Sequence, residues 1–307
     1  QMFRLLLPLL AVGLSFNVFA QGHFVTLDST KIWISVQGLE EREEGQPVLV
    51  FESGLGTPMD NWDWILPQAA ELAPVFVYDR PGIGASEADD ELPTVEYVAN
   101  TLVRLLKDQH IDPPYVLVGH SLGGVYVRGF ANYYPDLLAG LVIIDPGDFT
   151  ETQENKLDYY RVFGWDDERI REEIERLKQI KVNRGDPPSS IQEEKEVLAD
   201  LRANDFKEIM DQALPNIPVH IITGGRFDMS PKFQSQDYDS ETLFRSKMQH
   251  RIARWTDVIQ SVDHGMLLYS ASAGHFVHID DPGLVVASIR LVLEDAARQW
   301  AKAEENR

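Results

Sequence analysis

A serine set between two glycines, a histidine behind a glycine and two aspartates near strand ends are the residues here whose types and spacing can do chemistry. Ser121 lies in Gly119-His120-Ser121-Leu122-Gly123, after the β-branched run Val116 to Val118 and before a helically spaced stretch through Phe130 and Tyr134. Glycines at 119 and 123 leave room for a sharp strand-to-helix turn that holds the Ser121 hydroxyl clear of the backbone, and the helix behind it presents unpaired amides to a forming oxyanion. A serine hydroxyl is a poor nucleophile at neutral pH. It needs an imidazole to take its proton and a carboxylate to hold that imidazole in one tautomer. His275, behind Gly274, supplies the imidazole; Asp228, after Gly224-Gly225-Arg226-Phe227, and Asp145, after Leu141 to Ile144, can each supply the carboxylate. The edge where a parallel sheet ends its strands is where such groups gather.

The string Val116-Leu117-Val118-Gly119-His120-Ser121-Leu122-Gly123-Gly124 resembles the nucleophile elbow of the α/β-hydrolase superfamily. Glu52-Ser53-Gly54-Leu55-Gly56 is similar to the branch written E-x-G-x-G, which has this string where many relatives carry a His-Gly pair. Asp79-Arg80-Pro81-Gly82-Ile83-Gly84-Ala85-Ser86 resembles a structural turn beside the elbow, with Asp79 and Arg80 as scaffold partners. The resemblance implies an α/β-hydrolase fold, with a mostly parallel sheet flanked by helices and a helical cap. Its order of serine, acid, histidine is met by Ser121, Asp228 and His275, with Asp228 preferred to Asp145 because it stands at the commoner position. The oxyanion hole it implies is made by the backbone N–H groups of Leu55 and Leu122. His278 is then a partly exposed residue at a helix start, His120 a buried hydrogen-bonding residue, and Asp280 and Asp281 caps of the last helix. The implied chemistry is hydrolysis of a small-molecule carboxylic ester through an acyl-enzyme, with no cofactor and no metal. Amide cleavage, carbon–carbon hydrolysis and a non-catalytic binding scaffold use the same fold and stay open.

The elements that must carry these residues follow from hydrophobic periodicity. A hairpin pattern runs from His23 to Val36, with Asp28-Ser29-Thr30 as its turn, and further apolar strands are predicted at Val48 to Phe51, Val75 to Tyr78, Leu141 to Ile144, Pro218 to Thr223 and Met266 to Tyr269. Amphipathic helices are expected at Thr94 to Asp108 and from Pro282 to about Ala301, and a helical segment at Ser240 to Gln260. This alternation predicts a core over 21–146 and 217–307, interrupted by a cap over 147–216 whose helices are expected at Asp166 to Lys181 and Glu193 to Ala213. The aromatic group Tyr159, Tyr160, Phe163 and Trp165 can line an apolar pocket or fill the cap's own core.

The chain of 307 residues is 44% hydrophobic and is long enough for one domain with an insertion. Its 49 acidic against 28 basic residues give a formal net charge of -21, which repels nucleic acid and anionic lipid. There is no cysteine, which excludes disulfides, thiolate zinc sites and a cysteine nucleophile. Residues 1–20 read as a secretory signal peptide, with Arg4 before the apolar run Leu5 to Val12 and Val18-Phe19-Ala20 like a cleavage site, so a secreted or periplasmic protein is expected. That run is too short and interrupted for a stable membrane span.

Overall fold

The computed structural model describes residues 22–179 and 187–305. The segment 1–20, expected as a leader, lies outside the described residues, as does the stretch 180–186 of the expected cap. In chain order the elements are β1 (His23–Leu27), β2 (Thr30–Gln37), β3 (Val48–Glu52), α1 (Leu66–Ala70), β4 (Val75–Tyr78), α2 (Val95–Asp108), β5 (Tyr115–His120), α3 (Leu122–Tyr133) and β6 (Leu138–Ile144). The insertion brings α4 (Lys156–Tyr160), α5 (Asp167–Gln179), α6 (Ser189–Ala203) and α7 (Lys207–Met210). The chain closes with β7 (Val219–Gly224), α8 (Ser240–Ile259), β8 (Gly265–Ser270), α9 (Val277–Asp280) and α10 (Pro282–Glu305). Side-chain caps mark helix starts: Thr94 accepts the amide of Tyr97 before α2, and Asp239 accepts that of Thr242 before α8.

The strands form one eight-stranded sheet in the order β1-β2-β4-β3-β5-β6-β7-β8. The β1–β2 hairpin lies antiparallel at one edge, and every pairing from β4 to β8 is parallel. Strands buried on both faces should be nearly all apolar, and β3, β5 and β7 are buried along their whole length. Alternate residues feed two cores. Val48, Val50, Leu117, Leu141 and Ile143 join the face covered by α2 and α3, while Leu49, Phe51, Val116, Val118, Val142 and Ile144 join the face covered by α1 and α10. Strand order reverses between β3 and β5, since β4 lies on one side of β3 and β5 on the other. The crevice beyond the carboxyl ends of these two strands is where such a sheet receives a ligand.

The insertion departs from its expected form. Instead of one helical stretch from 193 to 213, α6 ends at Ala203 and α7 begins at Lys207, with Asp205 and Phe206 in left-handed conformations at φ 54° and 50°. The break turns Phe206 inward, where it is 1% exposed. Side chains of α3 then cap the short α7: Arg128 Nη2 donates to Gln212 O at 2.6 Å, and Asn132 Nδ2 donates to the carbonyls of Glu208 and Ile209 at 2.9 Å each. The aromatic group fills the cap's own core, where buried Tyr159 and Tyr160 pack with Leu157, Ile170 and Leu243, and Phe163 and Trp165 lie against them. Among the described residues no helix is long and apolar enough to cross a membrane.

Candidate active site

The turn after β5 has the shape that the glycines require. Ser121 sits at φ 55° and ψ -114°, a conformation that costs a non-glycine residue on the order of 1–3 kcal/mol and persists only where its surroundings enforce it. They do so at three points. The Ser121 amide donates to Ile144 O at 3.0 Å, and the Ser121 carbonyl accepts the amides of Gly124 and Gly147 at 3.1 Å each. A Cβ at Gly123 would run into the carbonyl of Glu52, so β3 can pass this close only to a glycine. Ser121 is thereby held at the switch point of the sheet, with Leu122 opening α3.

His275 lies in the loop between β8 and α9, and its Nε2 stands 3.0 Å from Ser121 Oγ. Asp280 Oδ2 accepts the Gly274 amide at 2.7 Å and Arg226 Nη2 at 2.9 Å, so it braces this loop instead of capping α10. Asp281 does cap, accepting the Leu284 amide at 3.4 Å. The carboxylate that meets the imidazole is Asp145, whose Oδ2 is 2.6 Å from His275 Nδ1. A carboxylate only accepts, so Nδ1 carries the proton and Nε2 is left to accept from the Ser121 hydroxyl.

This geometry corrects the preference for Asp228. That side chain is 61% exposed and stands 3.5 Å from Arg226 Nη2, whereas the imidazole Nδ1 meets Asp145. The reason lies in the strand ends. Asp145 follows Ile144 immediately, its amide donates to Ile222 O at 2.7 Å, and a φ of 37° turns the residue over the sheet edge. Asp228 lies four residues beyond the end of β7, in the loop that follows it. Thr223, the penultimate residue of β7, supports the other acid: its hydroxyl donates to Asp145 Oδ1 at 2.7 Å. Burial opposes ionisation of Asp145, but the hydrogen bond from His275, the Arg251 guanidinium at 3.8 Å and the Thr223 hydroxyl together hold its carboxyl below the usual range.

A second layer, which the sequence did not announce, fixes this acid from the cap side. Asp148 takes Arg254 Nη2 at 2.5 Å and Arg251 Nε at 3.5 Å, and its Oδ1 also accepts the Thr150 hydroxyl at 2.6 Å. Arg254 reaches on to Thr150 Oγ1 and to Tyr159, at 3.0 and 2.8 Å.

His120 and His278 pack behind the imidazole. His120 Nε2 lies 2.9 Å from the carbonyl of His275 and must donate to it, and the His120 ring is 4.7 Å from that of His275 and 4.6 Å from that of His278. His278 is fully buried, not partly exposed as expected, and accepts from Asn61 Nδ2 at 2.6 Å. Burial and the neighbouring imidazole of His275 push His278 down to about 4; burial, then His278 and His275, push His120 well below the usual range. Both rings are neutral at physiological pH.

The loop after β3 lies beside the elbow. A Cβ on Gly54 would stand 3.2 Å from His120 Nδ1 and 3.4 Å from Ser121 Cβ, so the amide of Leu55 and that of Leu122 are brought to the same end of the sheet. Trp62 holds the loop from below, its indole N–H donating to Ser53 Oγ at 3.0 Å. Asp79 accepts the amides of Met59 and Ala85 at 2.6 and 2.8 Å, as its scaffold role required. Among the described residues no group of three or more histidine or carboxylate side chains is arranged to hold a metal ion.

Residues 49–289 match the profile of the Alpha/beta hydrolase family. The YqjL protein of Bacillus subtilis (strain 168) is 34% identical over 98 residues, a match that spans 32% of this chain and 39% of that protein. Two solved structures share the fold. AqDC, described in recognition and ring-cleavage of the Pseudomonas quinolone signal, superposes with a TM-score of 0.60 at 18% identity, over 89% of this chain and 99% of that one. The enol-lactonase from Burkholderia xenovorans LB400 does so with a TM-score of 0.52 at 16% identity, over 89% of this chain and all of that one. At these identities the two structures show the fold alone.

Proposed function

This chain belongs to the alpha/beta hydrolase family, and from that premise we propose that it is a serine hydrolase that cleaves small-molecule carboxylic esters through an acyl-enzyme on Ser121. The observation that carries the reading is the hydrogen-bonded line from Ser121 through His275 to Asp145, at 3.0 and 2.6 Å. In the proposed reaction His275 Nε2 takes the Ser121 proton as Oγ attacks the ester carbonyl, and the amides of Leu55 and Leu122 receive the oxyanion. His275 then protonates the departing alcohol. A water deprotonated by the same nitrogen attacks the acyl-enzyme, and collapse of the second tetrahedral intermediate returns Ser121 and releases the acid. Asp145 stays ionised throughout, orienting the ring and stabilising the imidazolium.

The test is turnover of p-nitrophenyl esters from acetate to palmitate by the wild type and by Ser121→Ala. Wild-type turnover that falls to the uncatalysed background in the variant supports the reading, and the chain-length profile distinguishes a carboxylesterase from a lipase. A folded wild type that turns over none of them overturns it. In the same reading the segment before Gln21 is an export leader, removed on the way to the periplasm or the medium. Mass spectrometry of the exported protein beginning anywhere but near Gln21 overturns that part alone.

A further inference from the structure

The loop that carries Leu55 is held by an ionic cluster centred on Arg80, and one member of that cluster comes from the cap. Arg80 Nη1 donates to Glu52 Oε1 at 2.6 Å and to the carbonyl of Ser53 at 2.7 Å, and Nη2 donates to the carbonyl of Gly54 at 2.8 Å. Tyr78 donates its hydroxyl to the other oxygen of Glu52 at 2.5 Å. From α6, Glu194 Oε1 accepts Arg80 Nε at 2.8 Å and Nη2 at 2.7 Å, while Oε2 accepts the amide of Gly56 at 2.6 Å. Arg80 is 3% exposed, and Glu52 and Glu194 are 1% exposed each.

These bonds fix one peptide plane in particular. The carbonyl of Gly54 and the N–H of Leu55 belong to the same planar unit and point in opposite directions, so the hydrogen bond that holds the carbonyl on Arg80 also aims the Leu55 N–H. The next amide, that of Gly56, is held by Glu194, and Gly56 adopts a φ of 62°, which glycine takes without the strain a Cβ would bring. Loop and cap also pack here: a Cβ on Gly56 would press on Ile191 at 3.1 Å, and Ser190 donates its hydroxyl to Gly82 O at 2.7 Å. Burying three charges is a poor source of stability, because desolvation offsets their attraction. Such a cluster instead specifies one arrangement of the groups it touches.

We propose that Glu194 is a positioning residue for the Leu55 oxyanion donor, so that docking of α6 on the loop after β3 sets the rate of acyl transfer and not only access to the site. This rests on the ester-hydrolase reading above. The cap then contributes to kcat through a carboxylate that touches no substrate. A cap that only shapes the pocket would instead act through KM and chain-length preference.

The experiment compares wild type, Glu194→Gln, Glu194→Asp and the exposed same-helix control Glu196→Gln, with p-nitrophenyl acetate as substrate and a fluorophosphonate as covalent label of Ser121. Glutamine has the size of glutamate, but Arg80 and Gly56 use different oxygens of Glu194, so in glutamine one of these donors faces an NH2 group that cannot accept. We expect kcat for Glu194→Gln to fall about 10- to 100-fold, less than or near the loss of a whole oxyanion donor. KM should stay within about twofold, the fluorophosphonate rate should fall in parallel with kcat, and circular dichroism should be native. Glu194→Asp, which keeps the charge and loses reach, should fall between. Glu196→Gln should match the wild type. A folded Glu194→Gln with wild-type kcat, or one that changes KM alone, overturns the proposal. So do two variants that fail to fold, which would make Glu194 a folding residue. Loss of turnover in Ser121→Ala with wild-type kcat in Glu194→Gln separates this failure from that of the parent reading, whereas an inactive wild type removes both.

Discussion

Asp145 is held from four sides, by the Ile222 carbonyl at its amide and by Thr223, Arg251 and His275 at its carboxylate. Asp145→Asn should therefore leave the fold in place but offer His275 an amide that favours the wrong tautomer, lowering kcat by about 10³- to 10⁴-fold. Asp228→Asn, whose exposed side chain meets Arg226, should stay within about threefold of wild type in the same p-nitrophenyl acetate assay. The opposite outcome would restore Asp228 as the acid. Ser121 and His275 were legible in the sequence because each stands in a local string, Gly-His-Ser-Leu-Gly and Gly-His, that limits the backbone by itself. The acid was not, because both aspartates follow a strand, and the choice depends on the β6–β7 register, which sets Ile144 against Ile222 and so puts Thr223 beside Asp145. No window of sequence contains that register.

At the scale of elements, the sheet and its flanking helices were legible because hydrophobic period is strong over long segments. Two departures came from tertiary demands on single residues. Phe206 breaks a helical pattern in order to reach the core, and His278 is drawn inside by Asn61 and the Trp62 ring, whose centroid lies 4.7 Å from its own. Trp62 is fully buried, and its indole N–H supports Ser53, so two variants separate its roles. Trp62→Phe removes the donor and leaves Ser53 Oγ without it, which should cost about 1–3 kcal/mol in chemical unfolding. Trp62→Ala adds a cavity and should cost about 3–5 kcal/mol. A loss near zero in Trp62→Phe would mean that the hydrogen bond to the loop contributes nothing. Gly123→Ala should not accumulate as folded protein, since its methyl would occupy the space of the Glu52 carbonyl; soluble, active protein would show that β3 can retreat.

For the whole molecule, the buried imidazoles link stability to pH. His278 has its folded value at about 4, below the unfolded value of about 6.5, so the unfolded chain binds the extra proton between these limits. Its contribution is present above about pH 6.5 and is lost as pH falls toward 4. From pH 7 to pH 5 that loss is about 2 kcal/mol, and His220, also lowered to about 4 by burial, adds a similar amount. Urea unfolding at the two pH values should show a fall that is smaller by about 2 kcal/mol in His278→Gln than in wild type. An unchanged fall would mean that the His278 ring is not held neutral.

Asp145 directly follows β6, and Asp148 and Thr150, in the same segment between β6 and β7, are tied to Arg251 and Arg254 of α8. The cap is therefore not a freely exchangeable cassette. A chimera joined at residue 147 would bring in a foreign loop against two arginines that expect Asp148, and would loosen the hold of Arg251 on Asp145. Grafts that retain 145–150 together with α8, and begin replacing residues beyond Thr150, keep the parental machinery and vary only what covers it.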